Sequence, residues 1–413
     1  MSKVEYPSVN LFDPEVQACP YAAYKTLRDE APLYPHPETD WLVVTRYDDI
    51  AEVIRKPDIY AASTDGQGGD GLIKSEKALA IYRDKGFPRV QPFTVDDPLH
   101  SAYRTIVERS FTASRVKKLE WRVREIIDDL IDRMDSPVEF IEHFCLPLPM
   151  TVITERLGLP LEDMPQLKYW ADMWARPFQQ NLDEAGEMEV AEAAVAFQRY
   201  LLEWFEVKRR DPKEDILSDV VTARTPEGRP LNDRELAAIG ETLVTGGNET
   251  TMNAIGLAMK LMIETDGLEQ TLRQSTAKIR TFVEEALRLE SPTQGLWRFA
   301  RIDTELNGRP IKKGTPIHIR FGAANRDERH FGCPEALDLD RRNAGSHMAF
   351  NQGAHHCIGA PLARQEMQVS FERLLERCQH FAFACPPEEI QYIPGLVIRR
   401  LEKLPIRFEK RSG

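Results

Sequence analysis

The chain has 413 residues, a formal net charge of −12 and an isoelectric point near 5.4, so it carries no basic footprint for nucleic acid or anionic lipid. Its six cysteines (Cys19, Cys145, Cys333, Cys357, Cys378, Cys385) are scattered without a pairing framework, which argues against a disulfide scaffold and fits a reducing compartment. Met1-Ser-Lys-Val-Glu-Tyr-Pro has no apolar leader and no uncharged apolar run reaches the length of a bilayer, so a cytoplasmic protein with no membrane segment and no nucleic-acid partner is expected.

In chain order, Tyr21–Arg28 reads as a short helix and Trp41–Tyr47 as a strand, followed by a helix over Ile50–Arg55 capped by Asp48-Asp49. Residues 60–98 are irregular, with several prolines and Gly66-Gln-Gly68-Gly69-Asp-Gly71, and predict a long functional loop. Those glycines match a dinucleotide fingerprint, but Tyr60-Ala-Ala-Ser-Thr-Asp is not the apolar strand that a nicotinamide site requires before it. His100 and Arg104 stand four apart on one helical face, a pairing that by itself reads equally well as a solvated surface. Helices follow over Val116–Met134, Val138–Leu157, Met164–Phe178 and Glu187–Arg209, and Trp170, Trp174, Phe178, Phe197, Trp204 and Phe205 on the last two are most simply core.

From a cap at Asn232 or Asp233, an apolar pattern predicts one unusually long helix over 232–263. Inside it lies Thr245-Gly246-Gly247-Asn248-Glu249-Thr250-Thr251, whose two glycines cost about 1 kcal/mol each relative to alanine. Glycine lets a ligand approach the backbone, and an acid beside a hydroxyl relays protons. A kinked helix with a surface Glu and a back-bonding Thr is the plainer alternative. Glu285 and Arg288 share a helical face further on. Then comes Phe350-Asn-Gln-Gly353-Ala-His355-His356-Cys357-Ile-Gly359, leading into a helix with Pro361 in its first turn and Leu362, Met367, Phe371, Leu374 and Leu375 on one face. Free N–H groups at such a helix start stabilise a thiolate, and Gly353 and Gly359 permit close approach of a flat ligand. A buried structural cysteine or a zinc ligand are the alternatives for Cys357. Neither explains the glycine spacing, and no second Cys or His pair lies nearby.

Phe350, Gly353, His355, Cys357 and Gly359 together resemble the heme-binding loop of the cytochrome P-450 superfamily, Phe-x-x-Gly-x-His/Arg-x-Cys-x-Gly, with one departure: Asn351 stands where many members carry Gly. The resemblance implies heme b with Cys357 as the thiolate ligand to iron. It also implies that His100 and Arg104 hold one propionate and Arg298 the other. Gly246-Gly247-Asn248-Glu249-Thr250 is similar to the family's Ala/Gly-Gly-x-Asp/Glu-Thr, which places Glu249 and Thr250 on the oxygen-binding side. Glu285 and Arg288 match its Glu-x-x-Arg pair, with Arg341 or Arg342 as a third member. These matches run in order over essentially the whole chain. The expected fold is accordingly mainly α with a smaller β region (α+β), a single domain over 1–413, with heme between the Gly246–Thr250 helix and the Cys357 loop and the Met164–Phe178 and Glu187–Arg209 helices as a lid.

The activity implied is monooxygenation of a small or medium apolar molecule, with Met173, Phe178, Val244, Leu296, Trp297, Leu396 and Val397 as pocket residues and Arg176 leaving room for a carboxylate. Without an attached flavin domain or iron–sulfur cysteine cluster, the electrons would come from an external ferredoxin and its NAD(P)H-dependent reductase. Arg109, Arg115, Lys117, Lys118 and Arg364 would form the basic patch that steers it. Two other classes remain: a heme-thiolate sensor, which needs no Glu249-Thr250 pair, and a nicotinamide-dependent oxidoreductase, which needs a strand before Gly66.

Overall fold

Two consecutive helices, Asp233–Gly246 and Glu249–Glu264, run through the middle of the molecule and carry its most continuous apolar surface. The computed structural model describes residues 6–64, 71–179 and 182–411. The helices Met164–Gln179 and Glu184–Arg210 pack on the first of the central pair, and Ala277–Glu290 and Ala360–Arg377 on the second. Apolar residues at helical spacing drive this packing: Leu236, Ile239 and Leu243 face it from one helix, Phe282, Val283 and Ala286 from another. The β region stands to one side. Its main sheet runs Leu33–Pro35, Leu42–Val44, Pro316–Ile319, Leu296–Ala300, Tyr60–Ala61, parallel only between the second and third strands. The mainly helical fold with a smaller β part is the one expected. Among the described residues no helix is long and apolar enough to cross a membrane.

Several boundaries differ from expectation, each for a local reason. The helix predicted over 232–263 is two helices. Asn232 and Glu235 form a capping box at its start, but the run breaks at Gly247–Asn248, where a Cβ on Gly247 would stand 2.7 Å from Ile153 Cγ1. Val138–Leu157 opens as a two-residue strand on Pro405–Ile406, makes a π-helical turn over Ile141–Cys145, and becomes α-helical only from Pro147, which needs no N–H in a first turn. Val116–Met134 is divided into Ala113–Lys118 and Glu120–Arg133. The supposed loop 60–98 contains the helix Glu76–Lys85, capped by Ser75 and packed on Glu184–Arg210, and begins with the edge strand Tyr60–Ala61. Gly66–Asp70, which carry most of the dinucleotide-like motif, lie outside the described residues. Finally, Tyr47 rather than Asp48 opens the next helix. Asp327 Oδ2 accepts the Tyr47 N–H at 2.9 Å, so a distant carboxylate does the capping and Asp48 and Asp49 lie in the first turn.

Candidate active site

The cysteine loop folds back on itself. Cys357 N–H donates to Phe350 O at 2.8 Å, and the chain enters the Ala360–Arg377 helix directly after Gly359, its N-cap. Asn351 adopts φ +58° and Gly353 φ +66°. The position where many relatives carry glycine therefore does need the left-handed region, and asparagine tolerates it. Asn351 further accepts the Gln352 N–H at 2.8 Å and donates to His355 O at 3.3 Å. Cys357 opens onto an internal slot of about 280 Å³. Burial pushes its thiol up, while the N–H groups of Gly359 and Ala360 and the charges of Arg104 and Arg364 pull it back toward ionisation.

Across the slot stand Gly246, Gly247, Thr250, Thr251 and Ala254. The two glycines differ. A Cβ on Gly246 would meet nothing within 4 Å, so that backbone borders open space, whereas Gly247 is small because Ile153 packs against it. Thr250 Oγ1 donates to Gly246 O at 3.2 Å across the helix break. Glu249 pairs with Arg400 from the Arg400–Leu401 strand, Nη1 to Oε1 3.0 Å, a tether that the sequence does not reveal. Glu366, also on the wall, is a buried carboxyl whose Oε2 has no partner, and burial pushes it far up.

Beside the slot the basic side chains His100, Arg104, Arg298 and His355 come together. The His100 and His355 rings are tilted at 42° with centroids 4.1 Å apart, and His355 Nδ1 lies 3.0 Å from Phe93 O. Arg104 donates to His356 O at 2.7 Å, and among the described residues Arg298 donates to the Trp297 carbonyl, at 2.8 Å. Burial, then the charges of Arg298 and His100, lower His355 to about 4; burial likewise lowers His100, and lowers Arg298 to about 10. His100 Nε2 is buried without a partner. Buried donors depressed by one another mark a place that calls for anions. A flat metal-bearing group with two carboxylates fits this arrangement: a sulfur on one face, an open glycine on the other, and at the edge two arginines beside an unpartnered buried His100 Nε2.

A second cavity, of about 580 Å³, joins the slot, and Thr242, Gly246, Thr250, Thr293 and Leu296 line both. Of the expected pocket residues, Phe178, Leu296, Trp297 and Val397 line it. Met173, Val244 and Leu396 do not. Met173 is buried against the Glu76–Lys85 and Glu184–Arg210 helices, Val244 faces the main core, and Leu396 packs near Tyr24 and Val43, because in each case the neighbouring helical or strand position takes the cavity face. Arg176 is engaged by Glu189 at 2.6 Å. Trp174, read as core, lines the cavity, as do Trp41 and Phe299, while Trp170 stacks on Phe197 at 5.2 Å inside the core.

Two ion networks brace the cysteine side. Glu285 receives Arg288 through both oxygens at 2.6 and 2.9 Å, and Arg341 Nε lies 3.0 Å from Oε1, so Arg341 and not the exposed Arg342 is the third member. Arg288 also donates to the carbonyls of Asn325, Pro334 and Ala336. The neighbouring Glu284, which no motif singled out, receives Arg364 at 2.7 and 3.0 Å and His347 Nε2 at 3.1 Å. The Arg364 guanidinium lies 4.5 Å over the Phe350 ring. Arg364 is thus spent on the loop and is no free member of a basic surface, and Arg115 is paired with Asp219. Arg109, Lys117 and Lys118 remain exposed.

Comparison with known proteins gives one answer. A family model described as Cytochrome P450 matches residues 164–399. Cytochrome P450 109 of Bacillus spizizenii is 31% identical over 97% of this chain and 95% of its own length, and the cytochrome P450 monooxygenase PikC of Streptomyces venezuelae 34% identical over 95% and 92%. Among solved structures, cytochrome P450 CYP109Q5 from Chondromyces apiculatus superposes with a TM-score of 0.84 at 30% identity, covering 98% of this chain and 99% of that one. The polyketide synthase cytochrome P450 PksS of Bacillus subtilis 168 gives 0.86 at 28%, covering 97% and 100%. With the sulfur, the glycine-bordered helix break and the cation cluster in the family's order, this chain belongs to the cytochrome P450 family of heme-b monooxygenases.

Proposed function

We propose that the protein inserts one atom of dioxygen into a small or medium apolar molecule, in the cytoplasm, using electrons from a separate ferredoxin served by an NAD(P)H-dependent reductase. The observation that carries this reading is the junction of the two cavities: the space above Cys357 opens at Gly246 and Thr250 directly into a mostly apolar chamber. Cys357 would hold the heme iron, and His100, Arg104, Arg298 and His355 its carboxylates. Bound heme supplies the activation of dioxygen, which protein side chains cannot do. The chain's own share is then threefold. The Cys357 thiolate donates charge, the apolar walls exclude water and orient the substrate, and Thr250 and Glu249 handle protons. In this division Thr250 Oγ1, now turned to Gly246 O, presents a proton in the shared space. Glu249 delivers protons from the Arg400 side when that pair opens.

For the ferredoxin, support comes from exposed Arg109, Lys117 and Lys118, since Lys117 and Lys118 stand on a helix that packs on Ala360–Arg377, directly behind the cysteine loop. The sensor alternative leaves Glu249 and Thr250 on the wall of a large substrate-sized chamber without a task. The test is spectroscopic: the reduced, carbon monoxide-treated protein should show the thiolate-specific band, and Cys357→His should abolish it. Wild-type protein without heme, or a Cys357→His variant that keeps the band, would remove the reading.

A further inference from the structure

Three of the chain's six tryptophans, Trp41, Trp174 and Trp297, come from segments far apart in sequence to line the larger cavity. They form two walls. Trp41 and Trp297 meet edge to face on the sheet side, with centroids 5.5 Å apart at 81°, and Trp174 and Phe178 stand one turn apart on the Met164–Gln179 helix at 5.5 Å.

Each wall is braced by a polar side chain that is not itself part of the lining. His318 stacks on Trp41 at 5.9 Å and 16° and meets Trp297 at 4.5 Å and 84°. Its ring is 1% exposed and both nitrogens lack partners, a cost to stability that an apolar residue of similar volume would avoid. Room for it is made by Gly295, where a Cβ would come within 2.8 Å of His318 Cε1. On the other wall the Arg89 guanidinium lies 4.2 Å over Trp174 and 4.8 Å over Phe178, and donates to Trp174 O at 2.6 Å. Rings pinned in this way lose little freedom when a ligand enters, and aromatic pairs favour offset-stacked or edge-to-face contacts that a saturated ring does not reproduce.

We propose that this cavity selects a planar aromatic substrate, with Arg89 and His318 as positioning residues that hold the four rings in place. The proposal rests on the monooxygenase reading and narrows its substrate class. A discriminating pair of probes is naphthalene and decalin, which share a ten-carbon bicyclic skeleton. Decalin carries more hydrogen and the larger apolar surface, so a merely apolar cavity would bind it at least as tightly.

In spin-state titrations of the heme-loaded enzyme, naphthalene should bind about tenfold tighter than decalin. Trp297→Leu and Arg89→Met should each bring the ratio close to one while the thiolate band is retained, which separates lost selectivity from lost folding. Equal or tighter decalin binding, or no shift with either probe in protein that shows the thiolate band, overturns the aromatic assignment and leaves the monooxygenase reading standing. An unchanged ratio in Arg89→Met overturns the bracing role. Absence of the band in the wild type would instead strike the monooxygenase reading itself.

Discussion

The two faces of the slot are built on opposite principles. On the cysteine side everything is over-determined: the loop is tied by Asn351, capped by the Ala360–Arg377 helix and backed by two carboxylates, each shared between two basic side chains. On the opposite side the helix is interrupted, a threonine hydroxyl bonds its own backbone, and Glu249 pairs with the partly exposed Arg400. In the proposed mechanism the difference separates a ligand that must not move from groups that must. A thiolate needs a fixed environment, while proton transfer needs hydroxyl and carboxylate groups that change partners.

Breaking the rigid face should have the largest effects. Arg288→Met leaves buried Glu285 with Arg341 as its remaining cation and frees three buried carbonyls, and should cost about 3–5 kcal/mol in chemical unfolding, with loss of bound heme. Glu284→Gln should cost about 3 kcal/mol at pH 7, because Glu284 is held at about 2 by His347 and Arg364 against the opposing effect of burial. The sign is fixed by that lowering. A carboxylate depressed in the folded state contributes fully above its ordinary value near 4.5 and loses the contribution as pH falls toward 2, so wild type and variant should converge in acid and diverge at neutrality. Convergence at pH 7 instead would mean the network is ornamental.

On the opposite face the effects should appear in turnover and leave folding intact. Glu249→Gln should slow product formation about 10²-fold, and Thr250→Ala should keep NAD(P)H consumption while diverting electrons to hydrogen peroxide. Counting product and peroxide per NAD(P)H separates the two, and a fully coupled Thr250→Ala enzyme would take Thr250 out of the mechanism. Smallest of all, charge reversal at Lys117 and Lys118 should slow reduction by ferredoxin a few-fold at low salt and hardly at all at high salt.

This contrast also governed what could be read before the structure. The cysteine face is written in short, closely spaced motifs whose residue types have few alternative explanations, so Phe350, Gly353, His355, Cys357, Glu285 and Arg288 could be named from spacing together with family resemblance. The substrate cavity is assembled from segments 41, 174–178, 242–250, 296–299 and 397–398, where one step along a helix or strand exchanges cavity for core. Met173 and Val244 were expected in the lining and lie in the core, each beside a residue that does line the cavity or adjoins one. Glu284, Arg89 and His318 left no signal because their partners are remote in the chain. The apolar pattern continues through Gly247, which is why one long helix was expected and a kink only the alternative; the chain breaks at Gly247–Asn248, where Ile153 packs against the glycine.

The unequal glycines at 246 and 247 carry a consequence for how such an enzyme diversifies. A methyl at position 246 would enter the volume shared by slot and chamber without disturbing any neighbour, whereas one at position 247 would demand a compensating change at Ile153. Inheritance can therefore trim the space above Cys357 in a single step through the first glycine, while the second is bound to a co-substitution. New specificities should accumulate along the first route.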